Sequence, residues 1–590
     1  MSIAEIGDPL DWRLAHGVNG LLRVFNEAGV LEAADVHVAS RLAILAGEAD
    51  ESVALAVALT VRAVRGGSVC VDLETVAEAA GPAPSDELPW PDPADWLAAV
   101  RASVLLDSPA VLRLYESHLV YLDRYWREEE QVCADLLALP ETNVPIDTDA
   151  LAAAMNRVFP GAGYDEQRAA AEIALSQWKT VLTGGPGTGK TTTVAALLAL
   201  LAEQAELAGK ARPRIALAAP TGKASARLQE AVQAEIDKLD AADQARLSGL
   251  HAVTLHRLLG SRPDTSARFR HHRGNRLPHD VIVVDETSMV SLTMMARLLE
   301  AVRPETRLIL VGDPHQLTSV EAGAVLADLV DGLGARSDIR IAALRTSHRF
   351  GESIGRLAEA IRVGDAECAL ALLGAGGEHI EFVTDEDPTA YLRKVLVPQA
   401  LRVREAAAIG DAPVALARLD QHRMLCAHRD GPYGVRHWNR QVERWLTEET
   451  GEPVWSSWYT GRPLLVTAND YGLRLFNGDT GVAVLRDGAL RAAIASAGGP
   501  LDFATSRLAD VETMHAMTIH KSQGSQAGEV TVLLPPEDSR LLSRELLYTA
   551  VTRARTKIRV VGSEAGVRAA LARRAVRATG LRQRLQATAD

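Results

Sequence analysis

The sequence predicts an α/β protein: two blocks of helix-covered parallel sheet, a small β insertion in the second block, and a helical region ahead of both. Three observations carry this. From Val181, short β-branched runs alternate with helical stretches, as in "TVLTGG", "RIALAAPTG", "VIVVDET" and "RLILVGD"; such alternation builds a parallel sheet buried on both faces. A second alternation runs from "RMLCAHR" to "KIRVVGS". Ahead of both, the chain is rich in Ala, Leu and Val at helical spacing as far as Leu139.

The N-terminal stretch is interrupted by "GPAPSDELPWPDPADW", where Pro82, Pro84, Pro91 and Pro93 mark a loop. It carries no chemistry. Trp90, Trp96, Tyr121, Tyr125 and Trp126 serve either as core aromatics or as a docking surface, and a whole domain without a catalytic signature suggests a partner-binding module. Inside the second block, "RPLLVTANDYGLRLFNGDTGVAVLRDG" reads as strands joined by Asn-Gly-Asp and Asp-Gly turns, a small β-barrel or hairpin insertion.

A chain of 590 residues exceeds one hydrophobic core and sets a soft prior of about four domains. Its 47% hydrophobic and 24% charged residues are globular. The net charge of −13 argues against coating nucleic acid with the whole surface and leaves room for a local basic cleft. Four cysteines, Cys70, Cys133, Cys368 and Cys426, lack paired spacing, against a zinc site or a disulfide framework. The acidic start has no apolar signal core, and no apolar run is long enough to span a bilayer. A soluble, cytoplasmic protein is expected, without membrane association.

"GGPGTGKTTT" satisfies G-x-x-x-x-G-K-[S/T] from Gly184 to Thr191, with a strand before it and a helix after. Gly184, Gly185, Pro186, Gly187, Thr188 and Gly189 form a turn whose N–H groups face phosphate, and Thr192 continues into the helix. Lys190 would reach the β- and γ-phosphates of ATP, and the Thr191 hydroxyl would ligate Mg²⁺. The run Val281–Val284 delivers Asp285 and Glu286 at a strand end. Asp285 would hold Mg²⁺ through water, and Glu286 would orient and deprotonate the attacking water. Arginines in "YTAVTRAR" then acquire an anion: Arg553 is the candidate finger for the γ-phosphate, Arg349 in "TSHRF" a second, and Arg555 reads equally as a surface ion pair. Arginines across a cleft from a phosphate loop make ATP close the cleft and hydrolysis reopen it.

On these motifs the chain resembles superfamily 1 helicases, and among them the RecD subunits of RecBCD helicase–nucleases (exodeoxyribonuclease V alpha chain), over roughly residues 159–585. By that resemblance Gln167 in "YDEQRAA" reads the adenine. Pro220, Thr221 and Lys223 in "APTGKASARL", and Thr254 and His256 in "TLHRLLG", lie along single-stranded DNA. Gln316 in "VGDPHQL" links the γ-phosphate to the DNA track. In "MTIHKSQGS", Thr518 and His520 face DNA while Gln523 and Gly524 face nucleotide. Arg553 is the finger. Lys223 and His256 are donors suited to backbone phosphate without sequence preference, although Thr221 and Thr254 serve equally as helix caps and His520 as a turn histidine.

The resemblance implies two RecA-like motor domains, 5′ to 3′ translocation, and a heterotrimer with RecB-like and RecC-like subunits acting at DNA ends in double-strand break repair by homologous recombination. The expected division is an N-terminal helical partner-binding domain (1–115), a helical linker (116–158), motor domain 1 (159–345, with a short basic insertion at about 261–279) and motor domain 2 (346–590), whose SH3-like β-barrel insertion at about 455–512 would clamp DNA. No nuclease carboxylate cluster is evident, so exonuclease activity is expected from another subunit. Two departures stand out. Gln526 and Ala527 occupy positions where the family commonly has Glu and an aromatic, which bears on ribose recognition. The helix-hairpin-helix extension of solitary RecD-like helicases is not found. The basic run "SRPDTSARFRHHRGNRLPHD", with Phe269 among Arg268, Arg270, His271, His272 and Arg273, reads as a solvated loop or as a strand-separating pin. The rival functions are a solitary helicase and a catalytically idle structural subunit.

Overall fold

The structure is a computed structural model that describes residues 13–79, 88–138, 146–262, 265–336, 339–346, 352–385, 387–454, 456–470, 472–496, 498–575 and 577–587. The N-terminal region begins with helices α1 (Gly20–Glu27), α2 (Ala33–Ala46) and α3 (Glu51–Arg65). Strand β1 (Cys70–Asp72), helix α4 (Pro93–Ala102), the hairpin β2 (Leu112–Tyr115) and β3 (Leu119–Leu122), and α5 (Asp123–Leu137) follow. Asp50 caps α3 by accepting the Ser52 N–H. The fully buried run Val53–Thr60 lies at the centre of a core with Phe25, Trp96 and Leu105.

The region is not helical throughout: its strands form an antiparallel sheet in the order β1-β3-β2. The β2–β3 hairpin straddles the expected boundary at residue 115. It turns through Glu116 (φ 47°) and Ser117 (φ 71°), left-handed residues without the Gly or Asn that would advertise a turn in the sequence. Trp96 is 2% exposed and donates its indole N–H to Ser52 O at 2.7 Å, and Tyr121 is fully buried. Those aromatics are core.

The first parallel sheet contains β4 (Lys179–Gly184), β5 (Ile215–Ala219), β6 (Ala252–Thr254), β9 (Val281–Val284), β10 (Arg307–Gly312) and β11 (Ile341–Leu344), in the order β11-β4-β10-β9-β5-β6. Around it lie α6 (Asp165–Ser176), α7 (Lys190–Leu207), α8 (Gly222–Ile236), α9 (Leu255–Leu259), α10 (Leu292–Ala301) and α11 (Val325–Leu333). The continuous apolar character of β9 and of α7 follows from this placement: both are buried on the sheet side and by neighbouring helices. The basic run folds as a hairpin, β7 (Ser261–Arg262) with β8 (Thr265–Phe269). Its Phe269 is 9% exposed and packs edge-on against His256 with ring centroids 5.8 Å apart, so this aromatic belongs to the base of the hairpin rather than to a wedge.

The second parallel sheet has the order β12-β21-β20-β13-β19, from β12 (Ile380–Val383), β13 (His422–Cys426), β19 (Ala516–Thr518), β20 (Ala527–Leu533) and β21 (Ala554–Val561). Between β13 and β19 the chain makes a five-stranded antiparallel sheet, β14 (Pro463–Val466), β15 (Thr480–Arg486), β16 (Ala489–Ile494), β17 (Leu501–Ala504) and β18 (Val511–Thr513). Helix α12 (Arg544–Val551) leads into β21.

The chain then leaves the second sheet. Its last helix, α13 (Leu581–Ala587), buries Leu581 and Leu585 in the core of the first block. There Glu129 of α5, fully buried, accepts from Thr579 Oγ1 (2.7 Å), Tyr121 OH (3.0 Å) and the Gly580 N–H (3.2 Å). Arg584 stacks 4.0 Å from the Tyr115 ring centroid and 5.2 Å from that of Trp126. The buried carboxyl is tolerable here because Arg584 Nε also donates to it at 3.4 Å, so each oxygen has two donors. Among the described residues no helix is long and apolar enough to cross a membrane, and no group of three or more His, Cys, Asp or Glu could hold a metal.

Candidate functional site

Residues of both parallel-sheet blocks line one cleft of about 820 Å³. On the first block's side, β4 ends at Gly184 and the chain turns before α7. Gly187 (φ 83°) and Gly189 (φ 88°) adopt left-handed conformations that L side chains resist. Lys190 bends back over this turn and donates to Gly184 O (2.6 Å) and Gly185 O (2.9 Å). Pro186, Gly187, Gly189, Lys190, Thr191 and Thr192 line the cleft, while Gly184, Gly185 and Thr188 form the turn beneath; Thr188 Oγ1 donates to Gly185 O at 2.9 Å.

Asp285 and Glu286 emerge from β9 into the same cleft. Burial, reinforced by the adjacent Glu286 carboxylate, raises the Asp285 carboxyl well above the ordinary range, and the Lys190 ammonium opposes that rise. Glu286 sits at φ 51°, ψ 42°, a left-handed conformation for a residue with a β-carbon. Strain of this kind, of order 1–3 kcal/mol, concentrates where a side chain must be aimed.

Gln167 of α6 is 2% exposed; its amide donates to Thr188 O at 3.1 Å, while its buried side-chain carbonyl oxygen has no partner among the described residues. A β-carbon on Gly189 would come within 3.0 Å of the Gln167 amide nitrogen. This orphaned acceptor beside a glycine turn suits a base bearing an amino group, and the Lys190–Asp285–Glu286 set suits a triphosphate with a divalent cation.

The second block contributes Arg553, 3% exposed. Its guanidinium donates to Thr549 O (3.1 Å), Ser525 O (3.3 Å), Thr552 Oγ1 (3.3 Å) and, across the cleft, Gln316 Oε1 (3.1 Å). No carboxylate lies within ion-pair distance among the described residues, and burial depresses its pKa while the Glu286 carboxylate works the other way. Gln316 in turn donates to Asp313 Oδ2 at 3.0 Å, which also accepts the Tyr548 hydroxyl at 3.0 Å. The Leu317 N–H donates to Thr549 Oγ1 at 2.9 Å. The strip Asp313–Leu317 of one block is thus stitched to α12 of the other. Arg555 is exposed. Arg349 lies outside the described residues.

A second groove of about 360 Å³ runs past the strand ends on another face. Pro220, Thr221, Lys223, His256 and His520 line it, as do Asn477 and Gly478 from the antiparallel insertion. Lys223 is half-buried, and burial lowers its ammonium pKa to about 7. Burial also depresses His256 and His520.

The three threonines expected here spend their oxygens on the backbone. Thr221 accepts the Ala224 N–H, Thr254 the Arg257 N–H and Thr518 the Lys521 N–H, each at 3.2 Å. Gln523 and Gly524, expected together at the nucleotide, part company. Gly524 lines the cleft, whereas Gln523 lines the groove and donates to Leu317 O. A residue that went unremarked in the sequence, Arg227 of α8, also lines the cleft and donates to Gln526 Oε1 at 2.9 Å. Its place inside "APTGKASARL" was the available signal.

Three family descriptions match: the N-terminal domain of RecBCD enzyme subunit RecD at residues 27–115, an AAA domain at 167–322, and the UvrD-like helicase C-terminal domain at 513–561. RecBCD enzyme subunit RecD of Mycobacterium tuberculosis is 71% identical over 570 residues, 97% of each chain. That of Mycolicibacterium smegmatis is also 71% identical, over 96% of this chain and 99% of its own. That of Haemophilus influenzae is 33% identical over 72% of each. Among solved structures, Bacteroides Pif1 bound to ssDNA aligns with 67% of this chain and 91% of its own at 17% identity, with a TM-score of 0.37, too low to carry an argument. The chain belongs to the RecD family of RecBCD enzyme subunits, ATP-dependent DNA helicases built on P-loop nucleotide-binding domains.

Proposed function

We propose that the chain is one of two motor subunits of a RecBCD-type helicase–nuclease, the RecB-like subunit being the other, translocating 5′ to 3′ on single-stranded DNA as ATP is hydrolysed between its two RecA-like domains. The observation that carries this reading is Arg553: a buried guanidinium from the second block, with no carboxylate at ion-pair distance among the described residues, in the same cleft as Lys190. Lys190 and the N–H groups of the glycine turn hold the β- and γ-phosphates, and Gln167 offers its orphaned oxygen to the adenine amino group. Thr191 and Asp285 are the residues that would hold Mg²⁺, which supplies charge neutralisation on the phosphates. Glu286 orients the attacking water and takes its proton, and Arg553 stabilises charge developing on the γ-phosphate.

The strip Asp313–Leu317 carries the state of the cleft to the groove, where Pro220, Thr221, Lys223, Thr254, His256, Thr518 and His520 track the DNA backbone. The inserted antiparallel sheet, read as an SH3-like barrel, closes the groove through Asn477 and Gly478. The N-terminal domain docks on a RecC-like subunit in a heterotrimer with a RecB-like one, in the cytoplasm; on α2, Ile44 and Leu45 are 71% and 69% exposed.

The test is ATP hydrolysis by the purified complex with its other motor silenced, with and without single-stranded DNA. Wild type is expected to be DNA-stimulated and Lys190→Ala inert; equal rates would instead mark an idle structural subunit. Replacing Ile44 and Leu45 by Asp is expected to reduce co-purification of the partner, and a chain that runs as an active monomer by size exclusion would overturn obligate assembly.

A further inference from the structure

The turn Gln523–Gln526 holds two arginines, one from each block. Ser525 O accepts Arg553 Nη1 at 3.3 Å. Gly524 O accepts Arg227 Nη1 at 3.3 Å, and Gln526 Oε1 accepts Arg227 Nη2 at 2.9 Å. Both guanidiniums line the nucleotide cleft, and neither has a carboxylate within ion-pair distance among the described residues. Two like charges facing one cavity repel each other; the turn's oxygens accept from both guanidiniums, and an anion between them would offset that repulsion.

The turn itself is braced. Ser525 Oγ donates to Ser522 O at 2.7 Å, and Gly524 holds φ +68° with its Cα hydrogen directed at Ala224, where a β-carbon would touch the Ala224 side chain at 3.5 Å. A few residues upstream the same segment places His520 and Lys521 in the groove, and Gln523 donates across to Leu317 O. One short stretch therefore touches both sites.

We propose that Arg227 is a positioning residue that anchors this turn to the first motor domain, so that DNA in the groove sets the placement of Arg553 in the cleft. The inference rests on the reading of the cleft as an ATP site and the groove as a DNA track. It assigns Gln526 a role as well: its amide oxygen orients the Arg227 fork while leaving its charge uncompensated. Arginine is required because its planar fork reaches two acceptors at once, which a lysine ammonium on one stem does not reproduce.

The experiment compares wild type, Arg227→Ala, Arg227→Lys, Gln526→Ala and the double variant Arg227→Ala/Gln526→Ala, each in the native complex with its other motor silenced. ATP turnover is measured with and without oligo(dT), alongside oligo(dT) affinity without nucleotide and thermal melting. Arg227→Ala is expected to cut the stimulation ratio about tenfold, through loss of its two hydrogen bonds to the turn. Arg227→Lys is expected not to restore it, and the double variant to be no worse than the poorer single one. Oligo(dT) affinity is expected to stay within about twofold, as the groove's own donors remain.

An Arg227→Ala complex that folds and keeps the wild-type ratio overturns the proposal, as does full rescue by lysine, which would make Arg227 a simple point charge. A wild-type complex that hydrolyses ATP without responding to DNA sinks the motor reading and the coupling with it. A responsive wild type with an equally responsive Arg227→Ala sinks the coupling alone.

Discussion

The nucleotide cleft and the groove beside it are built on opposite principles. In the cleft, Arg553 is buried, Lys190 and Glu286 are half-buried, and all three are already aimed. Arg553 is held by four oxygens, Lys190 by two carbonyls, and Glu286 by a strained backbone. In the groove, Lys223 is half-buried with a depressed pKa, two imidazoles are biased toward neutrality, and three threonine oxygens serve the backbone. Chemistry on one phosphate demands donors fixed before the transition state forms. A strand that must slide demands many weak contacts, none decisive. The difference predicts steep single-residue effects in the cleft and shallow ones in the groove.

The steepest is Lys190→Ala, expected to lower ATP turnover by roughly 10³-fold or more, because phosphate positioning and charge neutralisation are lost together. Turnover within tenfold of wild type, measured with saturating single-stranded DNA, would erase the contrast between the two sites. Arg553→Ala is expected to fall by a comparable factor, on the order of 10³, with nucleotide binding retained, since a finger acts on the transition state rather than the ground state. Fluorescent-nucleotide binding beside turnover separates the two. Arg553→Ala also leaves the Gln316 and Ser525 oxygens short of a donor, so a lowered melting temperature is part of the expected result.

Gln167→Ala comes next. Losing the acceptor for a base amino group is expected to raise KM for ATP about tenfold with kcat nearly unchanged, and to narrow the preference for ATP over GTP. An unchanged ratio of kcat/KM between the two nucleotides would show that the orphaned oxygen serves packing instead.

How far these sites were legible from the sequence follows from the range of the contacts that make them. The glycine turn, Lys190 and Asp285 sit within local patterns whose geometry is dictated by a few neighbouring residues, and the alternating strands announced both parallel sheets. Arg553 was readable because its motif is long. Arg227 had only its place inside "APTGKASARL" as a signal, since its meaning comes from Gln526, 299 residues away. The Asp313–Tyr548 pair, 235 residues apart, was silent. The return of α13 to the first block was hidden for the same reason: Leu581 and Leu585 look like any amphipathic helix until their partners are known. The separation of Gln523 from Gly524 turns on the positive φ of one glycine, which no periodicity reports.

In the groove, Lys223→Ala is expected to weaken single-stranded DNA binding only several-fold and to reduce the slope of log affinity against log salt by about one. Its pH dependence has a definite sign. With the ammonium lowered to about 7 by burial, the cation that binds phosphate is present below that value and lost above it. Wild-type affinity should therefore decline between pH 6 and pH 8, and Lys223→Ala should flatten that decline. A profile unchanged by the substitution would assign the titration to another group.

The smallest effect separates capping from contact. Thr254 is the N-cap of α9, so Thr254→Ala is expected to cost about 1 kcal/mol of stability, while Thr254→Ser is nearly neutral. If the hydroxyl serves only the helix, DNA affinity corrected for folded fraction stays within about twofold in both variants. A selective loss of affinity in Thr254→Ala, with melting unchanged, would show that its hydroxyl hydrogen reaches a phosphate. The groove would then be as deliberately aimed as the cleft.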